Sequence, residues 1–206
     1  MVIYLFIKKM AELYSVLNGI DFNRTYPSAE FYKLTNMEEL HNDFQFKTGL
    51  NIDIHEFNPT GKCTKGGIYF TDKCNLGRWI EYNCKIMFWI RKVMVPNDAV
   101  VYIEYNKFKS NMLFLEERVA ITTRSDLIKL MIKLNGWALR YLDKQQHTEY
   151  IRRMAVRQNG IVLRLIINPT EEVCVLAVNQ TPAAWTYVPD NIKSKIYPKY
   201  VNKICK

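Results

Sequence analysis

The sequence repeats itself, and no other feature limits the fold as much. Ile132-Lys-Leu-Asn-Gly-Trp-Ala-Leu-Arg-Tyr-Leu returns as Val156-Arg-Gln-Asn-Gly-Ile-Val-Leu-Arg-Leu-Ile, and again as Val178-Asn-Gln-Thr-Pro-Ala-Ala-Trp-Thr-Tyr-Val. The offsets are 24 and then 22 residues. A unit this short cannot bury its own apolar face, so successive copies have to stack. Each has room for two short helices about the Asn-Gly break, where glycine allows a left-handed C-cap. In the third copy Thr181-Pro182 stands in that place, and proline suits a first helical turn. Residues 123–192 are therefore expected to form three helical-hairpin repeats, the last acting as a cap and the whole leaning on what precedes it.

The residues ahead of the repeats have a different texture. Phe31-Tyr-Lys-Leu-Thr alternates like a strand, as do Phe44 to Asn51, Met87 to Val95 and Ala99 to Tyr105, with one more strand expected within Phe114–Ile121. Asn36 with Glu39 three residues on reads as a capping box, and Asn75 to Tyr82 reads as a helix with Leu76, Trp79 and Ile80 inward. Between them Gly66-Gly67 opens the strand Ile68-Tyr-Phe, either as a tight turn or as the lip of a pocket. Residues 31–122 are thus expected to be a mixed α/β module. Residues 1–30 read as an N-terminal extension with a helix through Met10, Leu13, Val16 and Leu17, a stop at Gly19 and a loop from Asp21 to Ser28. The fold class expected is α+β: a strand-rich mixed α/β N-terminal module followed by a short α-helical repeat array.

Charge divides along the same line. Residues 1–122 hold 15 Lys+Arg against 14 Asp+Glu, and residues 123–206 hold 14 against 6. The tail 193–206 carries five lysines and no acid. A positive field in one part favours an acidic partner protein or a phosphate backbone. Its expected carriers are Arg140, Arg152, Arg153, Arg157, Arg164, Lys195 and Lys199. The longest early apolar run, Val2–Ile7, is far too short to span a membrane and lacks a signal-peptide pattern, so an intracellular protein is expected. The five cysteines are widely spaced. Cys63, Cys74, Cys84 and His55 could be gathered around zinc, but no Cys-x-x-Cys pair is present, and no metal is expected.

The runs Phe31-Tyr-Lys-Leu-Thr-Asn, His41 to Asp53, Phe57-Asn-Pro, Gly66-Gly-Ile-Tyr-Phe-Thr-Asp, Ile90-Arg-Lys-Val and Glu104-Tyr-Asn-Lys-Phe-Lys resemble the N-terminal module of uncharacterised repeat proteins of mimivirus-like giant DNA viruses. Ala155-Val-Arg-Gln-Asn-Gly and Ala177-Val-Asn-Gln-Thr-Pro resemble the short helical repeats behind it. That resemblance implies a viral protein and carries no activity. A weaker one is to ADP-ribosyltransferases of the poly(ADP-ribose) polymerase type, on the order His41, Gly67-Ile-Tyr-Phe, Tyr82 and Glu104. It implies NAD as cofactor, with Gly67, Tyr69 and Tyr82 around it. His41 would hold the ribose, Tyr69 would stack on nicotinamide and Glu104 would stabilise the oxocarbenium-like centre. His41 lacks the family's His-Gly-Thr or His-Gly-Ser setting.

Other candidates carry less. His55 and Glu56 point to opposite faces of an extended segment, Glu116-Glu117 is a solvated pair, and no phosphate-cradling glycine motif is present. The leading expectation is an interaction protein whose basic repeat surface binds an acidic host or viral partner without a cofactor. An NAD-dependent transferase and a nucleic-acid-binding protein are the alternatives.

Overall fold

The computed structural model describes residues 12–61, 63–82 and 85–204, with the backbone alone for 198–204. The chain divides into two units, Met1–Thr123 and Arg124–Lys206.

The first unit is built on a sheet in which every pairing is antiparallel. Its elements in order are β1 (Val16–Asn18), α1 (Gly19–Thr25), β2 (Phe31–Thr35), β3 (Leu40–His41), β4 (Phe44–Gln45), β5 (Gly49–Ile52), β6 (Ile68–Asp72), a 3-10 segment Lys73–Arg78, β7 (Glu81–Tyr82), β8 (Lys85–Ile86), β9 (Trp89–Met94), β10 (Val100–Ile103), β11 (Phe108–Ser110), β12 (Met112–Leu115) and β13 (Val119–Ala120). Nine of the strands form one sheet in the order β1-β10-β11-β6-β2-β9-β12-β5, with β13 pairing β9; β3-β4 and β7-β8 are separate hairpins. Alternation along β10, β11 and β6 sends Val101, Ile103, Phe108, Phe70 and Ile68 to one side. There Phe22 on α1 and Tyr26, which caps its C-terminus, cover them. Phe70 and Phe108 are cross-strand partners with rings stacked at 5.2 Å, and Phe22 meets Phe108 edge-on at 5.4 Å.

This architecture corrects the expectation of a mixed α/β module. Only β10 and β11 are successive in the chain and adjacent in this sheet, yet every pairing is antiparallel, so the sheet contains no parallel strand-helix-strand unit. Of the short helix or turn that the Asn36–Glu39 pair suggests, a turn forms: Asn36 Oδ1 accepts from Leu40 N ahead of the β3-β4 hairpin. Asn75 to Tyr82 is not a helix. A 3-10 turn capped by Asp72 ends at Arg78 and gives way to β7, although Leu76 and Ile80 are buried as expected. Val16 and Leu17 lie in β1, paired with Tyr102 and Val101, and Gly19 opens α1 instead of stopping a helix. Asn18 Oδ1 accepts from Asp21 N there, so the expected loop at 21–28 is helical to Thr25. Met10 lies outside the described residues.

In the second unit the α-helices are α2 (Ser125–Ile132), α3 (Glu149–Gln158), α4 (Glu171–Gln180) and α5 (Asp190–Ile204). Between them stand six-residue 3-10 segments, Gly136–Tyr141, Gly160–Leu165 and Pro182–Tyr187. The expected array of paired α-helices is therefore overturned, because each copy forms only one α-helix. The second limb is a 3-10 turn that buries Gly136, Ala138 and Leu139 in the first copy and Gly160, Val162 and Leu163 in the second. The break is also of another kind than expected. Neither Gly136 nor Gly160 has positive φ. Each sits against the next copy: a Cβ on Gly136 would lie 2.4 Å from Ala155 O, and one on Gly160 2.2 Å from Ala177 O. Asn135 and Asn159 cap the 3-10 turns by accepting from Trp137 N and Ile161 N at 3.0 Å. Thr148 and Thr170 cap α3 and α4 in the same way, from Ile151 N and Val173 N. Before α2, Ser125 is the first helical residue and Arg124 makes no side-chain cap.

Candidate functional site

β2 pairs with β6 only at Phe31 and Tyr32, and from Lys33 to Thr35 it is held by β9 alone. Where β2 and β6 part, the first unit contains a cavity of about 390 Å³. Lys33 to Asn36 line one side and Tyr69 to Thr71 the other; the β3-β4 hairpin contributes His41, Trp79 follows the 3-10 turn, and Tyr82 and Lys85 come from β7-β8. This splaying explains how residues of opposite strand phase, such as Tyr69 and Phe70, reach one space.

The charged groups lining the cavity are mostly cationic, Lys33, Lys85 and Lys107 against Asp43. Lys33 is 6% exposed, with Nζ 4.5 Å from the centre of the Phe46 ring. Among the described residues it has neither an ion-pair nor a hydrogen-bond partner. Burial drives its ammonium from the ordinary 10.5 down to about 7, opposed only by Cys63 nearby. His41, edge-on to Tyr82 at 5.9 Å, is pushed down to about 4 by burial and then by Lys33 and Lys85, which makes it a neutral imidazole near pH 7. Lys107, 5% exposed, donates to Cys63 Sγ at 2.8 Å and lies 3.5 Å from Glu104 Oε2. Its ammonium covers the rings of Tyr69 at 4.2 Å and Trp79 at 5.0 Å. The lining includes one carboxylate, Asp43, and Lys65 neutralises it at 2.6 Å.

His41, Tyr69 and Tyr82 thus share one cavity, while Glu104 is not among its lining residues and turns its carboxylate to Lys107. Tyr69 donates its hydroxyl to Thr60 O, and besides Lys107 the Lys109 ammonium lies 5.1 Å from its ring. These groups occupy the face that a nicotinamide would need, and the positive charge around them opposes an oxocarbenium-like centre. The resemblance to ADP-ribosyltransferases finds no support here. Gly67 is not at the cavity. Its φ of +134° and its bond to Asp53 shape the turn, where a Cβ would strike Lys109 Cγ at 2.7 Å. With Gly66 at φ +86°, both glycines need their conformational freedom for the turn itself. From sequence Trp79 reads as a core residue and Cys63 as one of a possible zinc group, while Lys33 and Lys107 carry no role; the structure brings all four to this cavity. The available signal was a lysine in phase with Phe31 along a strand buried on both faces.

Among the described residues no group of three or more His, Cys, Asp or Glu side chains could hold a metal ion; Cys84 lies outside them. No helix among them is long and apolar enough to cross a membrane.

In the second unit, Arg157 and Lys195 are exposed. Arg140 and Arg164 lie over the Trp137 ring at 5.0 and 4.8 Å. Arg153 is engaged by Glu172 at 2.5 Å, and Arg152 reaches Asn168 O at 3.5 Å. The Lys199 side chain lies outside the described residues. The expected cationic face is thus partly neutralised within the unit.

Comparison with known proteins finds relatives in Acanthamoeba polyphaga mimivirus. The chain is 36% identical over 92 residues to a protein named as ankyrin repeat protein R868, covering 41% of this chain and 44% of the relative. It is 32% identical over 120 residues to one named as ankyrin repeat protein R229, covering 52% and 38%. It is 30% identical over 94 residues to the uncharacterized protein R869, covering 43% and 65%. No family model matches, and no solved structure matches. The chain spans about two fifths of the length of the first two relatives, and its own repeat offsets of 24 and 22 residues are shorter than the roughly 33 of an ankyrin unit.

Proposed function

We propose that this chain is a giant-virus interaction protein, and that its second unit presents a cationic surface to an acidic host or viral protein. The similarity to mimivirus proteins named for ankyrin repeats carries the reading, since repeat proteins work as extended binding surfaces. The excess of basic over acidic residues from 123 onward supports the sign of the partner. Exposed Arg157 and Lys195 have no ion-pair partner among the described residues and supply its charge. The test is affinity capture from nuclease-treated extract of giant-virus-infected cells at low salt, with the full chain and its Arg157→Glu/Lys195→Glu variant. One acidic protein is expected on the wild type, released by raised salt and at least about tenfold depleted on the variant. Equal recovery on both, no specific recovery, or a capture that nuclease abolishes would overturn the reading. The last outcome would point instead to nucleic acid.

A further inference from the structure

We propose that the cavity between β2 and β6 is a binding site for a small planar aromatic anion, a ring bearing a carboxylate or a phosphate, with Lys33 as its counter-ion. This goes beyond the interaction reading and does not depend on it.

Three observations meet here. The cavity, at about 390 Å³, has the size of a site for one small molecule. Its walls include the rings of Phe46, Tyr69, Trp79 and Tyr82; Lys33 and Lys107 lie over the first three, so Tyr82 is the ring on which a flat ligand can stack. Its charge is the decisive feature. Most buried cations are neutralised by a neighbour, as Lys107 is by Glu104 and Arg91 by Glu39. Among the described residues Lys33 has no such neighbour, and the lining residues around its ammonium, Phe46, His41 and Cys63, bring no carboxylate. The other titratable groups lining the cavity are Tyr32, Tyr69, Tyr82, Lys85, Lys107 and Asp43, and Asp43 is tied to Lys65. A ligand's negative charge would therefore complete the site. A neutral or cationic ligand would leave the lysine as costly as before. Neutral His41 can donate or accept a hydrogen bond to orient the anion without adding a second charge.

Anion binding should return Lys33 to its protonated form, so proton uptake accompanies binding above pH 7. The experiment is calorimetric titration of the full chain with phenyl phosphate, benzoate and neutral benzyl alcohol, at pH 7, 8 and 9, in buffers of different ionisation enthalpy. The two anions distinguish phosphate from carboxylate preference. At least one should bind about tenfold or more tighter than benzyl alcohol, with uptake approaching one proton at pH 8 and affinity about tenfold or more weaker at pH 9 than at pH 7. Lys33→Met fills the same space without charge. It should keep or raise the melting temperature and lose the preference for the anion. Benzyl alcohol binding as tightly as both anions, binding with no proton uptake, or unchanged anion affinity in Lys33→Met would each overturn the proposal. Proton uptake by the wild-type chain decides the matter even if the variant misfolds.

Discussion

Glu39 shows how far a residue's role can lie from its sequence neighbours. Beside Asn36 it looks like the closing member of a capping box, yet it sits at φ +55° and bonds across 52 residues to Arg91, Nε to Oε1 at 2.8 Å and Nη2 to Oε2 at 2.9 Å. Both side chains are 4% exposed, and Thr35 and Arg118 complete the carboxylate's bonding. Burial alone would raise its pKa. The Arg91 bonds and charge, with Thr35 and Arg118, outweigh that and hold it below the usual range. The stability this gives is present above the unfolded carboxyl pKa and is lost as pH falls through the lower folded value. Arg91→Leu should cost about 3–5 kcal/mol in urea unfolding at pH 7, because it strands a buried charge, with the deficit shrinking toward pH 3. A loss under about 1 kcal/mol would mean that Arg118 alone suffices. The cavity was legible in a similar, partial way. Tyr69 carries an obvious strand signal, whereas Lys33 and Lys107 look in sequence like ordinary alternation, since burial of a lysine depends on distant strands.

At the scale of elements, the repeat in the sequence marks a repeat in local geometry, though not the geometry that the Asn-Gly pair suggests. Asn-Gly is a familiar turn signal, and nothing local says that this glycine is needed by a carbonyl 17 or 19 residues ahead. Gly136, Ala138 and Leu139 were in plain view as apolar positions, but a six-residue run is too short to separate a period of 3.0 from one of 3.6. The distinction has a measurable consequence. A left-handed cap glycine replaced by alanine loses mainly backbone freedom, about 1 kcal/mol. A contact glycine forces backbone apart. Gly160→Ala, with its Cβ 2.2 Å from Ala177 O, should cost about 2–3 kcal/mol, and Gly136→Ala, at 2.4 Å from Ala155 O, should cost slightly less. Chemical denaturation followed by ellipticity at 222 nm gives both numbers, and a cost below about 0.5 kcal/mol in either would refute the close-contact role.

Across the whole molecule, the buried groups that titrate nearest neutral pH respond differently in the two units; the first unit's tyrosines Tyr26 and Tyr69, raised by burial, act only above pH 10. In the first unit burial lowers Lys33 from 10.5 to about 7, and burial also lowers Lys109. Between pH 7 and 10.5 the unfolded chain then holds a proton that the folded unit does not, so the first unit gains stability as pH rises through that window. In the second unit burial raises the Cys174 thiol from 9.0 to about 11. Its contribution is fully present below pH 9 and fades as pH rises through 11. A Trp137→Phe/Trp185→Phe chain leaves Trp79 and Trp89 to report on the first unit by fluorescence, while ellipticity at 222 nm follows the helices α2 to α5. From pH 7 to pH 9 the fluorescence midpoint in urea should rise by an amount worth about 2 kcal/mol, and the ellipticity midpoint should stay level. Two midpoints that climb together would show a single cooperative unfolding unit. A fluorescence midpoint that fell would mean that Lys33 is already paired when folded, and the case for an anion in that cavity would fall with it.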